Sequence, residues 1–114
     1  MKEYKASIKG MLIASNVKLA ESFLKRLVGL LAHKKLNEGE GLLISHCKQV
    51  HTFGMRFHID VIFLSETGKI IYVENDMRPG KMSKYIKKAY QVLELKSGAV
   101  QEYNIKSGDI IIFE

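Results

Sequence analysis

Ile59-Asp60-Val61-Ile62-Phe63-Leu64, then Glu66-Thr67-Gly68, then Ile70-Ile71-Tyr72-Val73 is the stretch that decides the fold class. Two runs of β-branched, aromatic and aliphatic residues flank a short polar turn that ends in glycine, which is the pattern of a β-hairpin. Successive side chains of a strand point to opposite faces, so Ile59, Val61 and Phe63 share one face and Asp60 shares the other with Ile62 and Leu64. A carboxylate among such neighbours is not wholly exposed and needs a partner.

The same signals recur on both sides of this hairpin. Ile8, the Lys9-Gly10 corner and Met11-Leu12-Ile13 predict two strands within residues 3–15. Beyond a Pro79-Gly80 break and a basic stretch come Val92 to Leu95, a Ser97-Gly98 turn, Val100 to Ile105, a Ser107-Gly108 turn and Ile110 to Phe113. Residues 33–41 (HKKLNEGEG) read as a loop leading into Leu42, Leu43 and Ile44. Only one interval has helical periodicity: Ala20, Phe23, Leu24, Leu27 and Val28 fall at i, i+3, i+4, i+7 and i+8. With Ser15 or Asn16 as N-cap and Gly29 as C-cap, this predicts one principal helix over about 16–28. The expected class is therefore α+β but mainly β, a small antiparallel β-sandwich or barrel with one helix. A single interval of helix disfavours an alternating βαβ fold. No repeat, low-complexity tract or linker divides residues 1–114, which read as a single domain.

Composition agrees. Of 114 residues 46% are hydrophobic and 26% charged, with mean hydropathy near zero, which excludes collagen-like, disordered and helical membrane-spanning chains. The start, MKEYKASIKG, lacks the apolar run and small-residue cleavage site of a secretory signal, so the expected compartment is the cytoplasm. One cysteine, Cys47, cannot form an intramolecular disulfide. The net charge of +6 raises the question of a polyanionic partner. The excess belongs to the flanks: residues 36–77 hold three basic and six acidic groups, whereas residues 1–35 hold eight and two and residues 78–114 seven and four.

Chemistry concentrates in residues 46–60, HCKQVHTFGMRFHID, which hold three of the four histidines and the only cysteine. Read as extended chain, the segment places Cys47 and His51 roughly 13 Å apart, too far for one zinc ion, and no second ligand pair is present. The reading is therefore no metal and no cofactor. Cysteine–histidine catalysis fails on the same distance unless the fold brings Cys47 to His46, His58 or His33, and a small buried apolar residue is the plainer account of Cys47. Strand parity puts Arg56, His58 and Asp60 on one face. Glu94, set among Val92, Leu93 and Leu95, poses the same pairing question as Asp60. Arg26, Arg56 and Arg78, the only arginines, are the expected bidentate partners. His51 and Thr52 beside Phe53, Gly54 and Met55 have the mixture of polar and soft apolar groups found in small-ligand pockets, although Phe53, Met55 and Phe57 are each also ordinary core candidates.

The chain resembles the family called domain of unknown function 192, in the branch with a Cys-x-x-Val-His-Thr-Phe-Gly-Met-Arg-Phe-x-Ile-Asp core. Here that core runs from Cys47 to Asp60, and the likeness extends to Arg26, Gly39, Gly41, Pro79, Val92-Leu93-Glu94-Leu95, Gly98 and Gly108-Asp109. One departure is His58, at a position where the family commonly has proline. The resemblance implies a small β-rich domain with a helix, a cytoplasmic form and no established activity. It also singles out Arg26, His51, Thr52, Met55, Arg56, Asp60 and Glu94 for test.

Three functions compete on this reading. The first is a binding module whose pocket around His51 to Asp60 takes a small molecule or a peptide. The second is an enzyme with His51 or Asp60 as general base and Arg56 as anion stabiliser. The third is nucleic-acid binding through residues 78–88 (RPGKMSKYIKK), a run that is more often a solvated basic loop. No membrane partner is expected, and the oligomeric state is left open.

Overall fold

The computed structural model describes residues 3–20 and 36–114. Seven strands follow in chain order: β1 (Glu3–Ile8), β2 (Met11–Ala20), β3 (Glu40–Ser45), β4 (Ile59–Leu64), β5 (Ile70–Met77), β6 (Gln91–Lys96) and β7 (Ile112–Phe113). One short helix, α1 (Ala99–Glu102), separates β6 from β7. The strands form one sheet in the order β5-β4-β6-β3-β2-β1-β7, curled into a half-barrel. Every pairing is antiparallel except β2 with β3, which is parallel and therefore needs a crossover through residues 21–39.

The expected mainly β domain stands, with corrections. Asn16–Ala20 belong to β2, where they pair with Glu40–Ile44, so no helix starts at Asn16. Val17 and Ala20 are buried as strand residues. The rest of that predicted helix, and Arg26 with it, lies outside the described residues. Val100–Ile105 is not a strand either. Gly98 adopts φ +101 and turns the chain into α1, and both Val100 and Ile105 still reach the core. Residues 46–58 form a turn-rich loop with one isolated bridge, so their extended reading gives way.

Two apolar clusters lie on opposite faces of the curled sheet. Directly paired residues point the same way, so the pairs Ile62–Leu93 and Asp60–Leu95 share one face, and Val61–Glu94 and Phe63–Val92 share the other. The first cluster fills the inside of the curl with Ile62, Leu64, Leu93, Leu95, Val17 and Ile111. The second, with Ile44, Ile59, Val61, Phe63 and Val92, is covered by loop residues Cys47, Val50, Met55 and Ala89. Covering both faces buries all six residues of β4, which is why that strand reads as a near-continuous apolar run.

The curl is closed at one end by the chain after α1. Ile70 N–H donates to Asp109 O at 2.8 Å, Gly108 N–H to Ile70 O at 2.9 Å and Ile111 N–H to Gly68 O at 2.8 Å. The following residues then pair β7 with β1. The approach at Gly68 is so close that a Cβ there would lie 2.4 Å from Ile111 O, and its φ is +91. Gly68→Ala is therefore expected to lose about 2–4 kcal/mol, from the left-handed backbone and from overpacking together. Gly80→Ala, at φ +76 with nothing within 4 Å, loses only the backbone part, about 1 kcal/mol. Urea unfolding of both variants checks the difference, and equal losses would contradict the close approach.

Candidate functional site

The loop of residues 46–58 is zipped to residues 78–90, and together they form a layer over the outer face of the sheet. Cys47 N–H donates to Tyr90 O at 3.0 Å, Ile86 N–H to Lys48 O at 2.8 Å, Ser83 N–H to Val50 O at 2.9 Å and Thr52 N–H to Lys81 O at 2.8 Å. His51 and Met82 form an antiparallel bridge within this ladder. Side chains reinforce it. Ser83 Oγ accepts from Val50 N–H at 3.0 Å, and Lys48 Nζ donates to the carbonyls of Lys87 and Ala89.

Thr52 is fully buried and is the tightest of these ties. Its Oγ1 donates to Arg78 O at 2.5 Å and accepts from Lys81 N–H at 2.9 Å, while its carbonyl takes the N–H of Gly80 at 2.9 Å. The Pro79-Gly80 turn is thus locked onto the motif loop. Above that anchor, His51 stacks on Phe53 with ring centroids 4.6 Å apart and planes 22° apart. His51 Nδ1 accepts the Phe53 N–H at 3.3 Å. His51 is half-buried, and Phe53, Arg56 and Met82 are exposed.

The seven residues singled out in the sequence fall into distinct groups. Met55 and Glu94 are buried on the loop-covered side of the sheet, Glu94 between Leu42 and Val61 on neighbouring strands. Thr52 holds the loop that covers that side, and His51 and Arg56 lie on the same loop. Asp60 is on the opposite face, 1% exposed. Its partners among the described residues are backbone groups, not an arginine: Oδ1 accepts the N–H of Asp76 at 2.7 Å, and Oδ2 accepts those of Gly98 at 3.0 Å and Val100 at 2.9 Å. The structure therefore separates His51 from Asp60 and commits Asp60 to tying β5 and the start of α1 to β4. Arg26 lies outside the described residues.

His58 likewise has a structural partner. Its Nδ1 lies 2.8 Å from Asp76 Oδ1, which also accepts the Ser97 hydroxyl at 2.7 Å. Serine and histidine meet the carboxylate on the same oxygen, so the aspartate stands between them. A nucleophile–base contact is not formed. These bonds, the one from Ser97 foremost, hold the Asp76 carboxyl below its ordinary value of 3.8. Cys47 is buried, with its thiol donating to Gln49 O at 3.2 Å. Among the described residues no group of three His, Cys, Asp or Glu side chains is placed to hold a metal ion.

Residues 4–113 match the family model DUF192, described as an uncharacterized ACR. The chain belongs to that family. Its fold is similar to a Sinorhizobium meliloti 1021 protein described as a "putative transcription regulator", with a TM-score of 0.83 and 19% identity over 98% of this chain and 94% of that one. It is also similar to a protein of unknown function from Novosphingobium aromaticivorans DSM 12444, with a TM-score of 0.81 and 16% identity over 96% and 83% of the two chains. No functionally curated protein matches the sequence. At these identities the neighbours establish the DUF192 fold alone.

What the linear reading missed is the second half of the loop layer. Lys81, Met82 and Ser83 belong to the same structural unit as His51 and Thr52, although a hairpin separates the two segments in sequence. The signal that could have found them is Pro79-Gly80, a turn followed by residues too irregular for a strand. Among the described residues no helix is long and apolar enough to cross a membrane.

Asp60→Ala leaves three backbone N–H groups without their acceptor and is expected to cost about 3–5 kcal/mol. Asp60→Asn keeps the shape but turns one acceptor into a donor facing N–H groups, and costs less. Chemical denaturation of the two variants reads this; an alanine cost below about 1 kcal/mol would show the carboxylate to be dispensable. For Asp76 the lowered pKa means that its contribution is present above the unfolded value of 3.8 and is lost as pH falls through the lower folded value. The stability difference between the parent and Asp76→Asn, where asparagine tolerates the φ of +51, should therefore shrink as pH drops from about 5 to about 2. A difference that stays constant over that range would remove the charge from the explanation.

Proposed function

We propose that the protein is a non-enzymatic binding module that holds a small anionic molecule or peptide end on the loop layer at His51, Phe53 and Arg56. The observation that carries this reading is the stacked, half-open His51–Phe53 pair on a backbone ladder fixed from below by buried Thr52. A ligand meets a flat aromatic surface and an imidazole edge without having to order the loop first, and exposed Arg56 on the same loop supplies a cation. Pre-organisation of that kind lowers the entropic cost of binding. The general-base alternative loses Asp60, which lies on the far side of the sheet with its oxygens occupied by backbone donors, and would rest on His51, whose Nδ1 accepts the Phe53 N–H. We further propose that the protein works in the cytoplasm, where its single thiol stays reduced.

The test is a thermal-shift series with inorganic phosphate, a nucleoside monophosphate, a dicarboxylate and a short peptide acid. A ligand present at about 100 times its Kd adds roughly 2.7 kcal/mol to the folded state, a rise in melting temperature of several degrees for a domain this size. That rise should disappear in His51→Ala and in Arg56→Ala. The reading fails if none of the probes raises the melting temperature, or if the rise survives both substitutions.

A further inference from the structure

Zipping residues 46–58 to residues 78–90 merges two stretches that are each free of acidic side chains. The first contributes Lys48 and Arg56, and the second Arg78, Lys81, Lys84, Lys87 and Lys88. Seven cationic groups and no carboxylate therefore lie on one layer, whereas the chain as a whole carries a net +6. The rest of the chain holds eleven basic groups against twelve acidic ones and so nearly balances. The central motif, which in sequence lies in the acidic third, is in the fold joined to the most basic surface run of the protein.

Lys48 is committed to the fold through its bonds to the carbonyls of Lys87 and Ala89, and Lys84 Nζ lies over the Tyr72 ring, 5.3 Å from its centroid. The six other than Lys48 are exposed. Interleaved with them are exposed apolar groups that a merely soluble surface does not need: Phe53 at 46%, Met82 at 59% and Tyr85 at 62% relative exposure. Aromatic faces among cations, held on a hydrogen-bonded ladder, are the two parts of a surface for single strands. The cations track a phosphate backbone and the rings stack on bases of any identity. Lysine outnumbers arginine four to two among the exposed cations, which fits a charge-tracking surface better than bidentate reading of base edges.

We infer that the loop layer binds single-stranded nucleic acid without strong sequence preference, with Lys81, Lys84, Lys87 and Lys88 on the backbone and Tyr85 and Phe53 stacking on bases. This deepens the proposed function by naming the anion as the phosphate of a nucleic acid strand, and it rests on that reading only for the layer being an anion site.

Fluorescence anisotropy with a labelled oligothymidylate of about 20 nucleotides tests it, beside a duplex of equal length. Four to six phosphate contacts give a salt slope of about −3 to −4, so affinity should fall by about 50- to 300-fold between roughly 50 and 200 mM salt. Lys84→Glu/Lys87→Glu should abolish binding at the higher salt. Tyr85→Ala, exposed and so harmless to folding, should weaken it by about tenfold with the salt slope unchanged. Equal affinity for heparin or for acidic phospholipid vesicles, coupled with no effect of Tyr85→Ala, would overturn the inference in favour of a generic cationic surface. Absence of oligonucleotide binding at 50 mM salt while inorganic phosphate still raises the melting temperature would overturn it and leave the small-anion reading standing. Loss of both responses would overturn both.

Discussion

The Asp60 carboxylate is the constraint on which the arrangement depends. It stands 1% exposed inside the curl of the sheet, where an unpaired charge would be costly to hold, and three backbone N–H groups from two other segments satisfy it. Because the Asp76 N–H is one of them, β5 is drawn to β4 beyond their ladder, at the place where their register shifts between Ile59 and Val61. The Gly98 and Val100 N–H groups bring the start of α1 to the same point, and from there the chain runs back to close the curl. A single side chain thus sets both the end of one hairpin and the direction of the C-terminal segment.

The other face of the same strands carries the loop layer. Val61, Phe63 and Val92 would be exposed if nothing covered them. The cover consists of two irregular loops whose backbone groups satisfy one another, as the ladder from Cys47 to Thr52 shows. A loop layer on a rigid sheet can present half-open side chains such as His51 and Phe53 without losing the core beneath. The division of labour is clear in the two buried polar groups of the motif segment. Asp60 works inward, and Thr52 fixes the outer loop.

Much of this was legible in the sequence, and the failures have physical reasons. The hairpins at Lys9-Gly10 and Glu66-Thr67-Gly68 were readable because strand periodicity and turn chemistry are local. The burial of Asp60 was readable from Ile62 and Leu64 on its own face. Its partners were not, since an arginine is visible in a sequence and a backbone N–H is not. Residues 16–20 read as the start of a helix because Ala20 falls in the spacing of Phe23, Leu24, Leu27 and Val28 and Ser15 or Asn16 can serve as a cap, whereas the competing parallel pairing with β3 has no local signature. Val100 to Ile105 reads as a strand from the turn residues Ser97-Gly98 and Ser107-Gly108 on either side, yet Gly98 and the Asp60 carboxylate turn its start into helix. The loop layer itself required knowing that two segments on either side of a hairpin meet.

The closure of the curl bears on how the chain acquires its structure. β1 and β7 are far apart in sequence yet neighbours in the sheet, with Lys5 and Glu114 exchanging both of their backbone hydrogen bonds at 2.9 Å. Until β7 reaches β1 the inside of the sheet lies open, and Ile111 covers Ile70 and Gly68 only once that long-range pairing forms. Contacts so distant in sequence slow folding, because the loop they close must be ordered first. The outer loops, complete by Tyr90, can settle before that moment.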